Sequence, residues 1–117
     1  MPPTLFDRST PNPAGYRDVQ PRDVAEAIES ARLIDIREPD ELRGELGHAA
    51  GVENIPLGRI EQAAQAFQKD EPIVLVCRSG RRSAQAAQAL AAAGHRCIMN
   101  MAGGMIAWNQ AGLPVER

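Results

Sequence analysis

The stretch Ile73-Val74-Leu75-Val76-Cys77-Arg78-Ser79-Gly80-Arg81-Arg82-Ser83 decides how this chain folds. Four consecutive apolar residues, mostly β-branched, predict a strand buried on both faces, as in the centre of a parallel sheet. The run stops at Cys77, a short loop with one glycine and three arginines follows, and an alanine-rich helix begins. A thiol at the carboxyl end of a parallel strand, facing a helix amino terminus, sits where open α/β sheets place ligands. Taken alone, a cysteine after an apolar strand is more often a buried small hydrophobe than a nucleophile. The arginines, Gly80 and the following helix reverse that reading and make Cys77 a candidate nucleophile in an anion-binding loop.

Downstream, Ser83 to Ala93 reads as a helix whose small side chains allow close packing, with Gly94 as its left-handed terminator. Arg96 to Asn100 is a strand, Ala102-Gly103-Gly104 a tight turn, and Met105 to Ala111 a last helix before Gly112 and Pro114. Upstream, Ile60, Ala63, Ala64 and Phe67 recur at helical spacing and predict an amphipathic helix from about Gly58 to Gln68. Val52 to Pro56 is a short edge strand, glycines break the chain around His48, and Pro39 to Leu42 forms one helical turn. In the strand Leu33 to Arg37, period-two geometry puts Ile34 and Ile36 on one face and Leu33, Asp35 and Arg37 on the other. Tyr16 to Val19 is a first strand, followed by a helix from Pro21 to about Ser30. Strands alternating with helices predict an α/β fold: a doubly wound, mostly parallel, five-stranded sheet with helices on both faces. Residues 1–15 carry four prolines and no periodicity, so they read as an arm or tail that Leu5-Phe6 could anchor. Residues 16–117 then form the single domain.

At 117 residues there is room for one compact core. Thirteen basic against 15 acidic residues give no global attraction to nucleic acid or an anionic membrane. No apolar run approaches the roughly 18 residues of a membrane span, and no signal pattern opens the chain. The expectation is a soluble, cytoplasmic protein whose two cysteines stay thiols. With two histidines and no C-x-x-C or H-x-x-x-H pair, no metal site is expected.

Four segments together resemble a single-domain rhodanese, over roughly Tyr16 to Val115. They are Asp35-Ile36-Arg37-Glu38 with Glu41; Gly47-His48 to Val52 with Asn54-Ile55-Pro56; the Cys77 to Ser83 loop; and Gly103-Gly104 with Ala107-Trp108. Ala49-Ala50 departs from the Ile-Pro common in the family. The resemblance implies a sulfurtransferase working without a cofactor. Cys77 would take the outer sulfur of thiosulfate or another donor as a persulfide and pass it to cyanide, a thiol or a sulfur-relay protein. Arg78, Ser79, Gly80, Arg81, Arg82 and Ser83 would form the binding loop, with Arg78 or Arg81 preferred over Arg82 for the donor dianion. Asp35 and Arg37 read as a buried pair bracing the loop rather than as donor ligands, and His48 as a turn-stabilising hydrogen-bonder. Trp108 is expected in the core or pocket wall and His95 at the surface. Cys97, three residues from its strand end, would lie about 10 Å below the ligand face at ~3.3 Å per residue, too far to pair with Cys77. A sulfur carrier or regulatory module with little turnover is the alternative. Phosphatase chemistry is a minor one, because the loop is one residue short of Cys-x5-Arg.

Overall fold

The computed structural model describes residues 3–117, so Met1 and Pro2 of the predicted arm lie outside the described residues. In chain order the elements are α1 (Leu5–Arg8), β1 (Thr10–Pro11), β2 (Arg17–Val19), α2 (Pro21–Glu26) and a 3-10 turn at Ile28–Ser30. Then follow β3 (Arg32–Asp35), α3 (Pro39–Leu42), β4 (Glu53–Asn54), α4 (Leu57–Ala64), β5 (Ile73–Val76), α5 (Arg81–Ala92), β6 (Ile98–Met101) and α6 (Gly104–Gln110). The sheet order is β1-β2-β6-β5-β3-β4, and every pairing is parallel except β1 with β2. This is the expected mostly parallel α/β sheet with six strands rather than five. The extra strand is β1, which pairs Thr10 with Asp18 and Pro11 with Arg17 at the sheet edge. A two-residue strand shows no alternation, and proline at an edge lacks only a donor that the sheet does not use there, so nothing in the sequence marked it.

Period-two alternation sorts the sheet into two apolar layers. Ile34, Ile36, Ile73, Leu75, Cys77 and Ile98 pack against Ile60, Ala64 and Phe67 from the α4 region and Ala86, Ala87 and Leu90 of α5. The opposite layer joins Leu33, Val74, Val76, Met99 and Met101 to Val24 of α2 and to Met105 and Trp108 of α6. Leu5 enters this second layer at 1% exposure, so the first turn of the arm packs on the core. Crossovers on both faces put all parallel strands' carboxyl ends along one edge, with β5 between β6 and β3. Cys77 therefore leaves the sheet at its middle.

Helix α4 stops at Ala64, short of the predicted Gln68, because Gln65, Ala66 and Phe67 each donate to the carbonyl three residues back and tighten the chain. Phe67 is still buried and carries the Arg32 guanidinium 4.3 Å from its ring centre. His95 is not at the surface: after Gly94 the chain turns under α5, its N–H donates to Leu90 O, and its ring meets Phe67 edge-on. Burial first, and the Lys69 charge second, push the His95 pKa down. Cys97 is half-buried and precedes β6, further from the carboxyl edge than expected. No helix among the described residues is long and apolar enough to cross a membrane.

Candidate functional site

The loop after β5 wraps around its own cysteine. Cys77 is fully buried, and its Sγ accepts the Gly80 N–H at 3.1 Å and the Ser83 N–H at 3.4 Å, with Ser83 Oγ at 3.3 Å. Gly80 takes φ +91°, a left-handed conformation that turns the chain back over the sulfur. Helix α5 begins at Arg81, two residues earlier than the sequence suggests, and has no side-chain cap. The sulfur takes the cap's place, since Ser83 is the third helical residue and its N–H is the one a cap oxygen would receive. Ser83, Ala86, Ala87 and Leu90 form the buried stripe of α5, which is why Ser83 faces the sheet and not solvent.

Among the described residues, no protein acceptor receives the backbone N–H of Arg78, Ser79, Arg81 or Arg82. These donors, at a short loop and a helix start where backbone partial positive charge gathers, form the candidate anion cradle. The cradle is fixed from behind by the turn before α6. Met105 N–H donates to Cys77 O at 2.9 Å and Ile106 N–H to Arg78 O at 3.0 Å, drawing the loop carbonyls away from the sulfur. Gly104 permits this approach: a Cβ there would lie 2.5 Å from Cys77 O.

The three loop arginines have different surroundings. Arg78 and Arg81 are exposed, as is Ser79. Arg82 instead forms a fork with Glu41 of α3, both nitrogen–oxygen distances being 3.0 Å. The Arg82 guanidinium and the Glu38 N–H hold the Glu41 carboxyl down at about 2. A carboxyl depressed on folding contributes stability above its unfolded pKa of about 4.5 and loses it as pH falls towards 2. The pair is about one-third exposed, so its contribution is about 1 kcal/mol or less. Replacing Glu41 with Gln is expected to lower stability by about that amount at pH 7, the gap to the wild-type chain closing in urea titrations as pH falls from 4.5 towards 2.

Asp35 and Arg37 are 0% and 1% exposed and form a bidentate pair, with Arg37 Nη2 2.8 Å from Asp35 Oδ2. Arg37 also donates to Gly47 O at 2.8 Å and Glu41 O at 3.3 Å, tying the end of β3 to α3 and to the glycine loop. Its guanidinium is thus occupied by the protein itself. His48 does not join the cradle: Nδ1 donates to Leu42 O at 2.9 Å, and its backbone pairs with Glu116. Trp108 is buried in the layer under α6 and donates to Pro114 O.

One residue at the sulfur was not singled out by the sequence: Asn100 of β6, 5% exposed. Its Oδ1 accepts the Ser83 hydroxyl and its Nδ2 donates to Gly80 O at 3.3 Å. The available signal was a polar residue in the apolar strand Ile98-Met99-Asn100-Met101, on the same strand face as Ile98 and therefore towards α5.

The model of the rhodanese-like domain matches residues 20–111, and the chain belongs to this family. A sulfurtransferase of Allochromatium vinosum is 37% identical over 87 residues, 74% of this chain and 79% of that protein. The thiosulfate sulfurtransferase GlpE of Vibrio cholerae is 33% identical over 86 residues, covering 74% and 79%. The crystal structure of a rhodanese-related protein from Thermoplasma volcanium superposes with a TM-score of 0.77 at 32% identity, over 86% of this chain and 98% of that one. Three other curated relatives, 42%, 40% and 38% identical, are matched over 60%, 46% and 42% of their own lengths. The chain thus spans about half of these longer proteins.

Proposed function

We propose that this chain transfers sulfane sulfur through a persulfide on Cys77, with thiosulfate as one donor and cyanide, a thiol or a relay protein as acceptor. The observation that carries the reading is the hydrogen-bonded sulfur inside a cradle of unpartnered N–H groups. The Cys77 thiolate attacks the outer sulfur of the donor, the donor's S–S bond breaks, and sulfite leaves with the bonding electrons. One negative charge then rests on the outer sulfur of the persulfide, where the loop N–H groups stabilise it. An acceptor nucleophile takes that sulfur and returns the thiolate, which gives ping-pong kinetics. A reducing compartment such as the cytoplasm suits a free thiol in this role.

Arg78 and Arg81 are the side chains proposed to meet the donor dianion, since Arg82 is engaged by Glu41. Replacing either with Ala is expected to raise KM for thiosulfate about tenfold with a smaller change in kcat, while the cyanide step is unaffected. Steady-state kinetics with each substrate varied in turn check this. The Glu41 pairing of Arg82 also weighs against phosphoryl chemistry, in which a loop arginine serves the phosphate. Thiosulfate:cyanide turnover and persulfide transfer from a protein donor, measured side by side, separate an enzyme from a carrier. A carrier would load only from the protein.

A further inference from the structure

We propose that Asn100 is a positioning residue for the sulfur: its amide oxygen holds the Ser83 hydroxyl proton while Cys77 is a neutral thiol, and yields that proton to the sulfur when the sulfur is charged. Ser83 Oγ carries one hydrogen and lies within reach of two acceptors, Cys77 Sγ at 3.3 Å and the nearer Asn100 Oδ1. It can serve only one at a time. All three residues are buried, at 0%, 0% and 5% exposure, so the choice is made away from bulk water. The amide is oriented by its other end, since Nδ2 donates to Gly80 O and leaves Oδ1 facing Ser83.

With a neutral thiol the hydrogen bonds run one way: the S–H donates to Ser83 Oγ, and the Ser83 O–H donates to Asn100. A thiolate can only accept. The Ser83 hydroxyl then turns to it and joins the Gly80 and Ser83 N–H donors, leaving Asn100 Oδ1 without its partner. Ionisation of Cys77 thus costs one buried hydrogen bond at Asn100, which opposes the help given by the backbone donors. When the thiolate attacks a donor sulfur, the new S–S bond takes the charge off Sγ, and the hydroxyl returns to Asn100. The hydroxyl follows the charge, and Asn100 is where it rests between.

This inference rests on Cys77 being the reactive thiol, but its test needs no sulfur donor. The rate of Cys77 alkylation by iodoacetamide is followed against pH for the wild-type chain, Asn100→Leu, Ser83→Ala and the double variant. Peptide mass spectrometry separates Cys77 from Cys97. Removing the competing acceptor in Asn100→Leu is expected to lower the midpoint by about half to one pH unit, three- to tenfold in thiolate fraction below the midpoint. Ser83→Ala is expected to raise the midpoint, and in the double variant the Asn100→Leu shift is expected to vanish. A shift of the same size in both backgrounds, or no downward shift in Asn100→Leu, overturns the proposal, because a purely structural role would not act through one hydroxyl. Asn100→Val gives the same reading in a strand position should leucine overpack. Sulfur transfer that fails while this cycle holds would remove the transfer reading and leave the inference standing.

Discussion

Gly104→Ala is expected to destabilise the fold by about 2–4 kcal/mol and to lower persulfide formation on Cys77 more than tenfold. The residue has φ +59°, where a side chain costs about 1–2 kcal/mol by itself. The added Cβ would also stand 2.5 Å from Cys77 O and 2.6 Å from both the carbon and the oxygen of the Arg78 carbonyl. Those atoms are backbone, held by the N–H groups of Met105 and Ile106, so relief requires the turn to withdraw from the loop. Withdrawal frees the two carbonyls to rotate, and the N–H groups between them lose their aim at the sulfur. Gly51→Ala is the matched control. It has φ +77° with nothing within 4 Å of the new Cβ, so it is expected to cost only the conformational ~1–2 kcal/mol and leave the cradle intact. Urea unfolding of both variants, with loading of Cys77 followed by mass, separates the two contributions.

Arg37→Met is expected to cost about 3–5 kcal/mol, because it leaves the Asp35 carboxylate buried with no cation. The loss is not one ion pair. Arg37 Nη2 serves Asp35 and Gly47 O at 2.8 Å each, and Nη1 reaches Glu41 O, so β3, α3 and the glycine loop lose their common donor. Glu41 is also the partner of Arg82, and loosening α3 is expected to free Arg82 towards the cradle mouth. The double variant Asp35→Leu with Arg37→Met removes the stranded charge and is expected to recover most of the stability, as measured by denaturant midpoint. It would not recover the tie to Gly47.

What the sequence made legible was the part that repeats. Ile73 to Val76 has the composition of a central strand, Ile34 and Ile36 fall on one face and Leu33 on the other, and the alanines of α5 mark a closely packed helix. Single contacts were less legible. The start of α5 at Arg81 is hidden in the sequence because its N-cap is Gly80, which has no side chain to bond, and capping rules do not count the sulfur of Cys77 three residues before it. His95 follows a helix terminator, and only the path of the chain under α5 reveals that its ring is buried. Asn100 looks like a defect in an apolar strand until Ser83 and Gly80 are seen beside it. The family motifs located the candidate site; the hydrogen-bond partners that tune it come from three separate segments.

The central claim is that Cys77 carries the transferred sulfur. Incubating the whole chain with thiosulfate, removing the donor and measuring the protein's mass before and after cyanide tests it most directly. The expected result is a gain of one sulfur atom, mapped to Cys77, that cyanide removes and that Cys77→Ser never shows. A chain that gains no sulfur from thiosulfate or from a persulfide-bearing protein donor, or that carries it on Cys97 instead, contradicts it.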